Sequence, residues 1–203
     1  MMQSTSNRHP IVALTGGIGA GKSYVARHIS ASHGIDIYDC DQAAKRLMRE
    51  SVALQEALSR LIGEDICRDG KLQKHVLAKF LLSSESNKQA VNDIVHPAVA
   101  LDFESSEYTW LESAILFESR FSERTTIDVV VCVTAPDELR AQRVSLRDNI
   151  SLGQAQQWID RQMAQAEIAT RSDYVIVNDG ICDLDKQIKD ILHHIYNNNK
   201  NKF

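Results

Sequence analysis

The sequence predicts an α/β fold, a doubly wound parallel sheet of about five strands. Short apolar runs that suit buried parallel strands alternate with helical stretches along most of the chain. The first of these runs ends in a glycine-rich segment that leads straight into a helix, which is a frequent opening of doubly wound sheets. A long helical block interrupts the alternation, so we also expect a helical insertion in this fold.

Composition limits the function classes that need to be considered. The chain has 203 residues, with 23 Lys and Arg against 27 Asp and Glu, and a formal net charge of −4. With 43% hydrophobic and 25% charged residues, it is typical of a globular protein that buries a core. The slight excess of acidic residues argues against binding nucleic acid mainly through charge and favours small-molecule ligands.

The sequence also predicts a cytoplasmic location. No run approaches the roughly 20 apolar residues that span a bilayer, and the polar residues 1–7, expected to form a disordered lead-in, lack a signal-peptide core. The four cysteines lie far apart without a Cys-x-x-Cys pair, which is typical of free thiols in a reducing compartment. We expect neither a membrane nor an obligate protein partner.

The first elements are expected in the order strand, helix, strand, helix. The apolar run Ile11–Thr15 predicts a buried strand, and Ser23–His33 predicts a helix that Gly34 closes. Ile35–Tyr38 predicts a second strand, and Asp41 begins the next helix.

Residues 51–106 form the predicted helical insertion, which covers the strand ends. No strand candidate stands out in it. Asp69-Gly70 is expected to interrupt the helical pattern. His96-Pro97 is expected to end one helix and start another, because proline lacks the N–H that a helix interior needs.

The sheet resumes after the insertion. Three further strands are predicted at Tyr108–Phe117, Ile127–Thr134 and Tyr174–Val177, with helices at Pro136–Arg147 and Leu152–Ala169 and a last helix whose apolar stripe runs from Leu184 to Ile195. The core therefore covers about residues 8–50 and 107–196. The tail at 197–202 is expected to fray.

The segment Gly16–Ser23 matches the pattern G-x-x-x-x-G-K-[ST] between a predicted strand and a predicted helix, the context in which that pattern binds phosphates. Its glycines let the backbone wrap so that N–H groups point inward. Lys22 is expected to reach the β- and γ-phosphates, and the Ser23 hydroxyl to bind Mg²⁺. The other interpretation is a glycine-rich turn with an incidental lysine. The expected nucleotide-binding residues are Gly17, Ile18, Gly19, Ala20, Gly21, Lys22 and Ser23.

The loop alone does not choose between kinases, switch GTPases and motor ATPases, because all of them need the same phosphate cradle. A guanine-binding switch protein is expected to contain Asn-Lys-x-Asp and Asp-x-x-Gly. The pair Asn87-Lys88 is followed by Gln89-Ala90, and no glycine follows an aspartate by three positions. The GTPase interpretation is therefore disfavoured.

Two carboxylates follow the second predicted strand. Asp39 and Asp41 flank Cys40 at its carboxyl end, the edge at which a doubly wound sheet presents its ligand. A kinase that acts on an alcohol needs a carboxylate to accept the hydroxyl proton, which predicts Asp41 as general base and Asp39 as a support for the metal. The structural alternative is that Asp41 only caps its helix and Asp39 is solvated.

The segments Ile11–Ser23 and Ile37–Asp41, which read IVALTGGIGAGKS and IYDCD, resemble the dephospho-coenzyme A kinase family. Further matching blocks are Asp69–Leu72, Asn92–Pro97, Ile115–Glu118 and Asn178–Gly180. The resemblance runs from Ile11 to about Ile195. It implies transfer of the ATP γ-phosphate to the ribose 3′-hydroxyl of dephospho-coenzyme A, with Asp41 at the position of the catalytic aspartate.

Two other functions stay open. A different small-molecule kinase, acting on a nucleoside or nucleotide, would keep the ATP site and use another acceptor pocket. A regulatory nucleotide-binding module would keep the loop but would need no positioned base. Asp41 favours an enzyme.

The resemblance places a lid at about residues 140–170. Arg140, Arg143 and Arg147 recur at intervals of three and four, so they share one face of a predicted helix. Such guanidinium groups clamp triphosphate oxygens, which suggests catalytic roles for Arg143 and Arg147 and a substrate contact for Arg140. The alternative is a solvated helix face that pairs with Asp137, Glu138 and Asp148.

The resemblance implies further contacts. Asn178 and Gly180 are expected at the nucleotide, and substrate contacts are expected from Thr15, Lys74 and His96. Glu118 follows a strand-like apolar run, so it is expected to approach the substrate or the water shell of Mg²⁺. Each of the last three also has a structural interpretation: Lys74 as a surface lysine, His96 as a local hydrogen-bonding group, and Glu118 as a strand-end carboxylate.

Five positions depart from the family pattern. Ala114 replaces a usual proline, Cys40 a common alanine, and Trp158 an arginine that often precedes the lid-side Gln162. Ala166-Glu167 replaces a frequent Glu-Lys pair. These departures leave the phosphate loop and Asp41 unchanged.

Overall fold

The computed structural model of the chain describes residues 8–68 and 70–197. The predicted lead-in at 1–7, Asp69 of the predicted helix interruption and residues 198–202 of the predicted tail lie outside the described residues. The bounds of the strands and helices depend on local sequence and on packing.

The strands and helices alternate at the start and the end of the chain and are mainly helical in between. The strands are β1 (Val12–Thr15), β2 (Ile37–Asp39), β3 (Cys67–Arg68), β4 (Lys71–Leu72), β5 (Trp110–Glu112), β6 (Val129–Thr134) and β7 (Tyr174–Val177). The helices are α1 (Lys22–His33), α2 (Cys40–Glu50), α3 (Val52–Ile62), α4 (Lys74–Ser83), α5 (Glu85–Glu104), α6 (Asp137–Asp148), α7 (Leu152–Asp160), α8 (Gln165–Thr170) and α9 (Leu184–Asn197), with a 3₁₀ helix at Phe121–Glu123.

A five-stranded parallel sheet flanked by helices confirms the predicted fold class. Its strand order is β2-β5-β1-β6-β7, so β1 is the central strand. The register aligns Val12 with Trp110 on one side and with Val129 on the other. Because both neighbours of β1 are parallel to it, its carboxyl end lies at the same edge of the sheet as theirs.

Burial explains why these apolar runs become strands. All four residues of β1 are buried, which suits a central parallel strand covered on both faces. One cluster joins Val12 and Leu14 to Val25 and Ile29 of α1 and to the apolar stripe of α9. Burial of this apolar surface is the dominant favourable contribution to folding. The buried residues of that stripe are Ile188, Ile191, Leu192 and Ile195.

The chain divides into two compact units. The first contains residues 8–38, 108–118 and 126–197 and holds the five-stranded sheet. The second contains residues 39–68, 70–107 and 119–125 and is mainly helical. In the second unit, α5 packs against α2, α3 and α4, and Phe103 meets Phe121 edge to face.

Two expectations for the insertion were wrong. Helix α5 continues through Pro97 instead of ending at His96. Val91, Val95 and Val99 recur every four residues on the buried face of α5, so packing compensates for the hydrogen bond that proline cannot make. The short antiparallel hairpin β3–β4 was also missed, because strands of two residues carry too little pattern to predict.

Two further boundaries differ from prediction. Strand β5 ends at Glu112, and the chain turns before Phe117. The single helix expected at 152–169 is two helices, α7 and α8, and in the segment between them the Gln162 side chain accepts a hydrogen bond from the Ile18 backbone. Within residues 8–68 and 70–197, no helix has the length and apolar character needed to cross a membrane.

Candidate active site

The phosphate loop connects β1 to α1 in the first unit. Gly21 caps α1 with a φ of +91°, a conformation that glycine adopts without strain. The backbone N–H groups at the start of a helix lack intrahelical partners and carry partial positive charge. Among the described residues, no hydrogen-bond acceptor meets the loop N–H groups of Gly19, Gly21, Lys22 and Ser23. The loop therefore presents a set of donors to an anion.

Close contacts explain two of the loop glycines. A Cβ at Gly17 would lie 2.3 Å from Nη2 of Arg140, and a Cβ at Gly21 would lie 2.1 Å from Nδ2 of Asn178. Both distances are far inside van der Waals contact. The glycines thus allow side chains from α6 and from the end of β7 to pack directly against the loop.

Lys22 lies under the loop and is only 8% exposed. Its Nζ donates to the carbonyl oxygen of Gly17 at 3.2 Å. Burial lowers the pKa of Lys22 to about 8, an effect that the nearby Glu112 carboxylate opposes and that the cations Arg140 and Arg147 reinforce. A phosphate anion would stabilise the charged form, so this site favours an anionic ligand.

The Ser23 hydroxyl donates to Oε1 of Glu112 at 2.7 Å. Glu112 is the last residue of β5, next to β1 in the sheet, and is buried. Glu112 was not among the predicted site residues, because the strand was expected to continue to Phe117. An acidic residue directly after Trp110-Leu111 was the available signal.

The three arginines of α6 do not form one solvated face. Arg140 is only 2% exposed; its Nε donates to the Ile18 carbonyl at 3.0 Å, and its Nη1 pairs with Asp137 at 2.8 Å. Arg143 donates to the carbonyl oxygens of Gly19 and Ala20 at 3.4 Å each, and to that of Asn178 at 3.0 Å. Both arginines therefore brace the loop.

Arg147 has a different environment. Its side chain is 60% exposed and pairs with Asp148 at 2.7 Å. Its charge still contributes to lowering the pKa of Lys22, which places the two cations in one electrostatic environment. Of the three arginines, Arg147 retains the most freedom to meet a ligand.

Three other expected residues lie near the strand ends of the first unit. Thr15 is buried at the end of β1. Asn178 is buried after β7, and its Nδ2 donates to the Ala20 carbonyl at 2.9 Å. Gly180 lies in the following turn with a φ of +82°. Asn178 therefore supports the loop directly.

Glu118 lies beyond β5 in a turn, not at the end of a strand. Its side chain is exposed, and Oε1 accepts a hydrogen bond from the Met163 backbone N–H at 3.3 Å. In the same segment, Oε1 of Gln162 accepts a hydrogen bond from the Ile18 N–H at 2.7 Å. The connection between α7 and α8 is thus bonded to the loop.

The two aspartates, Asp39 and Asp41, belong to the second unit and lie at the start of α2. Asp39 is the N-cap of α2: its Oδ1 accepts hydrogen bonds from the N–H groups of Asp41 at 2.9 Å and Gln42 at 3.0 Å. The structural alternative, in which Asp41 caps the helix and Asp39 is only solvated, is therefore wrong. The Asp41 carboxylate is 75% exposed and pairs with Lys45 at 2.5 Å.

The remaining candidates of the second unit are Lys74 and His96. Lys74 is the exposed first residue of α4. His96 is half-buried in α5, and burial together with the nearby Arg124 lowers its pKa, while Asp93 opposes the shift. His96 is therefore favoured in its neutral form.

Side-chain oxygens near the phosphate loop are the possible ligands of a metal ion. Among the residues that the structure describes, His, Cys, Asp and Glu form no cluster of three that could bind a metal ion by themselves. One hydroxyl and one carboxylate, those of Ser23 and Glu112, meet at the loop. Such a sparse oxygen set fits Mg²⁺, which usually retains waters and binds substrate phosphates instead of an all-protein cage.

The model of the dephospho-CoA kinase family matches residues 10–183 of this chain. The chain belongs to the dephospho-CoA kinase family. A relative named dephospho-CoA kinase in Bacteroides fragilis is 37% identical over 192 residues, which cover 91% of this chain and 92% of the relative. The family relationship confirms the resemblance found in the sequence, and the chain is an ATP-dependent kinase.

Two solved structures share the fold of this chain. A protein from Thermus thermophilus is 30% identical, with a TM-score of 0.73 and coverage of 92% of this chain and 98% of the other. Dephospho-CoA kinase from Campylobacter jejuni has a TM-score of 0.62 at 22% identity and supports the fold alone, with coverage of 93% and 98%. Of the departures from the family pattern, Glu167 pairs with Arg171 at 3.7 Å, and Trp158 is exposed.

Proposed function

We propose that this kinase transfers the γ-phosphate of ATP to the ribose 3′-hydroxyl of dephospho-coenzyme A. The observation that carries the proposal is the set of unpartnered N–H donors at Gly19, Gly21, Lys22 and Ser23, beside a buried ammonium. Such a cradle binds the phosphates of a nucleoside triphosphate. The acceptor is inferred from membership of the family and from the names of the relatives.

The proposal includes Mg²⁺ held through Ser23. The hydroxyl of Ser23 would bind the ion, and Glu112, which already accepts a hydrogen bond from that hydroxyl, would orient Ser23 and the water around the ion. When bound, Mg²⁺ offsets the negative charge of the phosphate oxygens. Asp39 was the other metal candidate; its Oδ1 is already used in capping α2.

Phosphoryl transfer consists mainly of positioning and charge stabilisation, and the chain's cations are suited to both. Lys22 would bind the reacting phosphates with its ammonium. Arg147 would exchange its exposed partner Asp148 for phosphate oxygens. Arg140 and Arg143 would hold the loop so that its N–H groups keep their direction.

We propose Asp41 as the general base that takes the proton of the 3′-hydroxyl. Three observations support the assignment: the residue matches the family motif, its carboxylate is exposed, and Asp39 relieves it of the capping role. Its pairing with Lys45 is a surface contact, which costs little to break. Lys74, His96, Thr15 and Glu118 stay proposed substrate contacts.

A substrate panel tests the acceptor. Purified protein is given ATP, Mg²⁺ and either dephospho-coenzyme A or adenosine monophosphate, and ADP release is measured. Turnover with dephospho-coenzyme A and none with the monophosphate is expected. Faster turnover of a nucleoside monophosphate would contradict the proposal, and nucleotide binding without any turnover would indicate a regulatory module.

A further inference from the structure

Ile18, at the tip of the phosphate loop, is held from three directions. Its N–H donates to Oε1 of Gln162 at 2.7 Å, and its carbonyl accepts from Nε of Arg140 at 3.0 Å. Its side chain packs against the apolar cluster between α6 and α7, which includes Val144 and Ile159. Both polar backbone atoms of one loop residue are therefore bonded by side chains more than 120 positions away.

The N–H of Ile18 belongs to the same peptide group as the carbonyl of Gly17. That carbonyl accepts hydrogen bonds from Nζ of Lys22 at 3.2 Å and from the Ala20 N–H at 3.2 Å. A peptide group is planar, so holding its N–H also fixes the direction of its carbonyl. The Gln162 side chain thus acts on the carbonyl that holds the Lys22 ammonium.

The glycines around this peptide make such a restraint necessary. Gly17 precedes it and Gly19 follows Ile18, and glycine populates more backbone conformations than other residues do. Without the Gln162 acceptor, only the hydrogen bonds from Lys22 and from the Ala20 N–H to the Gly17 carbonyl would oppose rotation of the peptide between Gly17 and Ile18. Rotation would turn the Gly17 carbonyl away from Lys22.

We infer that Gln162 is a positioning residue for ATP binding. It orients the Gly17–Ile18 peptide so that Lys22 and the unpartnered loop N–H groups face the phosphates. The inference rests on the proposed function only in that the phosphates are those of ATP. It assigns no contact between Gln162 and the substrate. Gln162 acts through the loop.

Two neighbouring glutamines provide matched controls. Gln165 bonds to both backbone atoms of Ala135, at 3.0 and 2.9 Å, and has no bond to the loop. Gln156 is half-buried on α7 and bonds to Asp160 at 2.8 Å. The same substitution at the three positions therefore distinguishes three effects. Gln162 tests positioning of the loop, Gln165 tests a structural hydrogen bond away from the loop, and Gln156 tests a change on α7.

The experiment compares Gln162→Met, Gln165→Met and Gln156→Met in the full chain, by calorimetry with a non-hydrolysable ATP analogue and by thermal unfolding. Losing one hydrogen bond to a neutral acceptor is worth roughly a three- to tenfold change. Gln162→Met is expected to weaken analogue binding by about that factor, whereas Gln165→Met lowers Tm without weakening binding. Gln156→Met should match the unaltered protein in both measurements.

A second variant and the binding stoichiometry distinguish positioning from a general loss of structure. Gln162→Asn keeps the amide but is one methylene shorter, so it is expected to weaken binding as Gln162→Met does. A positioning role raises the Kd of the analogue and leaves the number of binding sites per chain unchanged in both variants. A purely structural role would reduce the folded fraction, and with it the number of binding sites per chain, and would leave the Kd unchanged.

The outcomes that overturn the inference are distinct from those that overturn the acceptor assignment. An unchanged Kd of the analogue in both Gln162 variants would exclude the positioning role. An equal loss of affinity in Gln165→Met would show that Gln162 has no special role. Since binding of the analogue needs no acceptor, these results do not depend on turnover with dephospho-coenzyme A.

Discussion

At the scale of single residues, the surroundings of Lys22 have the largest chemical consequence. Burial lowers its pKa to about 8, and the Glu112 carboxylate limits the shift. The nucleotide-free protein therefore loses this positive charge over a pH range in which an exposed lysine would keep it. Phosphates that arrive at the loop favour the charged form, so ATP binding and protonation of Lys22 are linked.

This linkage predicts how ATP affinity depends on pH. At pH 7, about one unit below this pKa, Lys22 is mostly charged and its titration should affect affinity little. Above pH 8, binding must first take up a proton, so affinity should fall by up to about tenfold per pH unit. Calorimetry with a non-hydrolysable analogue, in two buffers of different ionisation enthalpy at pH 7 and pH 9, measures that proton uptake. Lys22→Met should bind weakly and without this pH dependence; equal proton uptake in the variant would contradict the assignment.

The two aspartates of the second unit give a matched pair of variants. Asp41→Asn removes the proposed base, and turnover should fall roughly a hundred- to ten-thousandfold. Its stability should change little, because Asp39 is the residue that caps α2. Asp39→Ala removes that cap and should lower the free energy of unfolding by about 1 kcal/mol. Steady-state kinetics and denaturant unfolding of both variants provide the measurement.

Two results would exclude Asp41 as the general base. Normal turnover in Asp41→Asn excludes it, and so does a loss of turnover that only follows the folded fraction. Loss of stability in Asp41→Asn but not in Asp39→Ala would contradict the capping geometry.

At the scale of elements, α6 shows that one helix face can hold three different environments. Its arginines recur at helical spacing, but Arg140 is buried, Arg143 bonds to loop carbonyls and Arg147 is exposed. The difference comes from what each side chain meets in the tertiary structure. Periodicity alone cannot reveal it.

The arginines of α6 should therefore differ in kinetics. Arg147→Ala should reduce turnover on the order of 100-fold, with a smaller effect on ATP affinity, if its charge acts in the transition state. Arg143→Ala should weaken ATP binding and lower Tm, because it holds the Gly19 and Ala20 carbonyls. Arg27→Ala, on the exposed surface of α1, is the control. Full turnover in Arg147→Ala would show that its side chain is only solvated.

The proline within α5 gives a stability prediction. Pro97 cannot donate to the carbonyl four residues earlier, and proline is about 3 kcal/mol less favourable than alanine in a helix interior. Pro97→Ala should raise the free energy of unfolding by roughly 1–3 kcal/mol. Denaturant unfolding measures the change, and Val99→Ala, which removes a buried side chain of the same helix, should lower stability. Lower stability in Pro97→Ala would mean that the proline ring itself contributes packing.

At the scale of the whole molecule, α9 lies beyond the residues that the family model matches, which end at residue 183. It nevertheless contributes four buried side chains to the same apolar cluster as β1 and α1. The hydroxyl of Tyr196 also accepts a hydrogen bond from Nε1 of the buried Trp110 at 2.9 Å. The apolar core against the sheet is therefore incomplete without α9.

Truncation after Asp183 tests the role of α9. Burying an aliphatic side chain is worth about 1.5–3 kcal/mol, so four amount to roughly 6–12 kcal/mol. Native proteins are stable by only about 5–15 kcal/mol in total, so the truncated chain should lose cooperative unfolding. Trp110 fluorescence, which should shift toward that of an exposed indole, provides the measurement. Tyr196→Phe, which loses only a hydrogen bond, should stay folded; a cooperative transition in the truncated chain would refute the prediction.

Predictions from local sequence were confirmed where the residues of one short segment are sufficient to determine its structure. The βα opening, the closure of α1 by Gly34 and the apolar stripe of α9 all follow from patterns within one element. Expectations about boundaries failed where packing outweighed local preference, as at Pro97 in α5 and at Glu112 in β5.

The sequence by itself determined the fold class, the family and the phosphate loop, because strand periodicity and the Gly16–Ser23 pattern are local. Only the tertiary structure decided which side chains support that loop. Glu112 and Gln162 meet it across 89 and 144 positions of sequence. Hydrogen bonds at such separations depend on how the sheet and helices pack, and a linear pattern contains no information about distances in space.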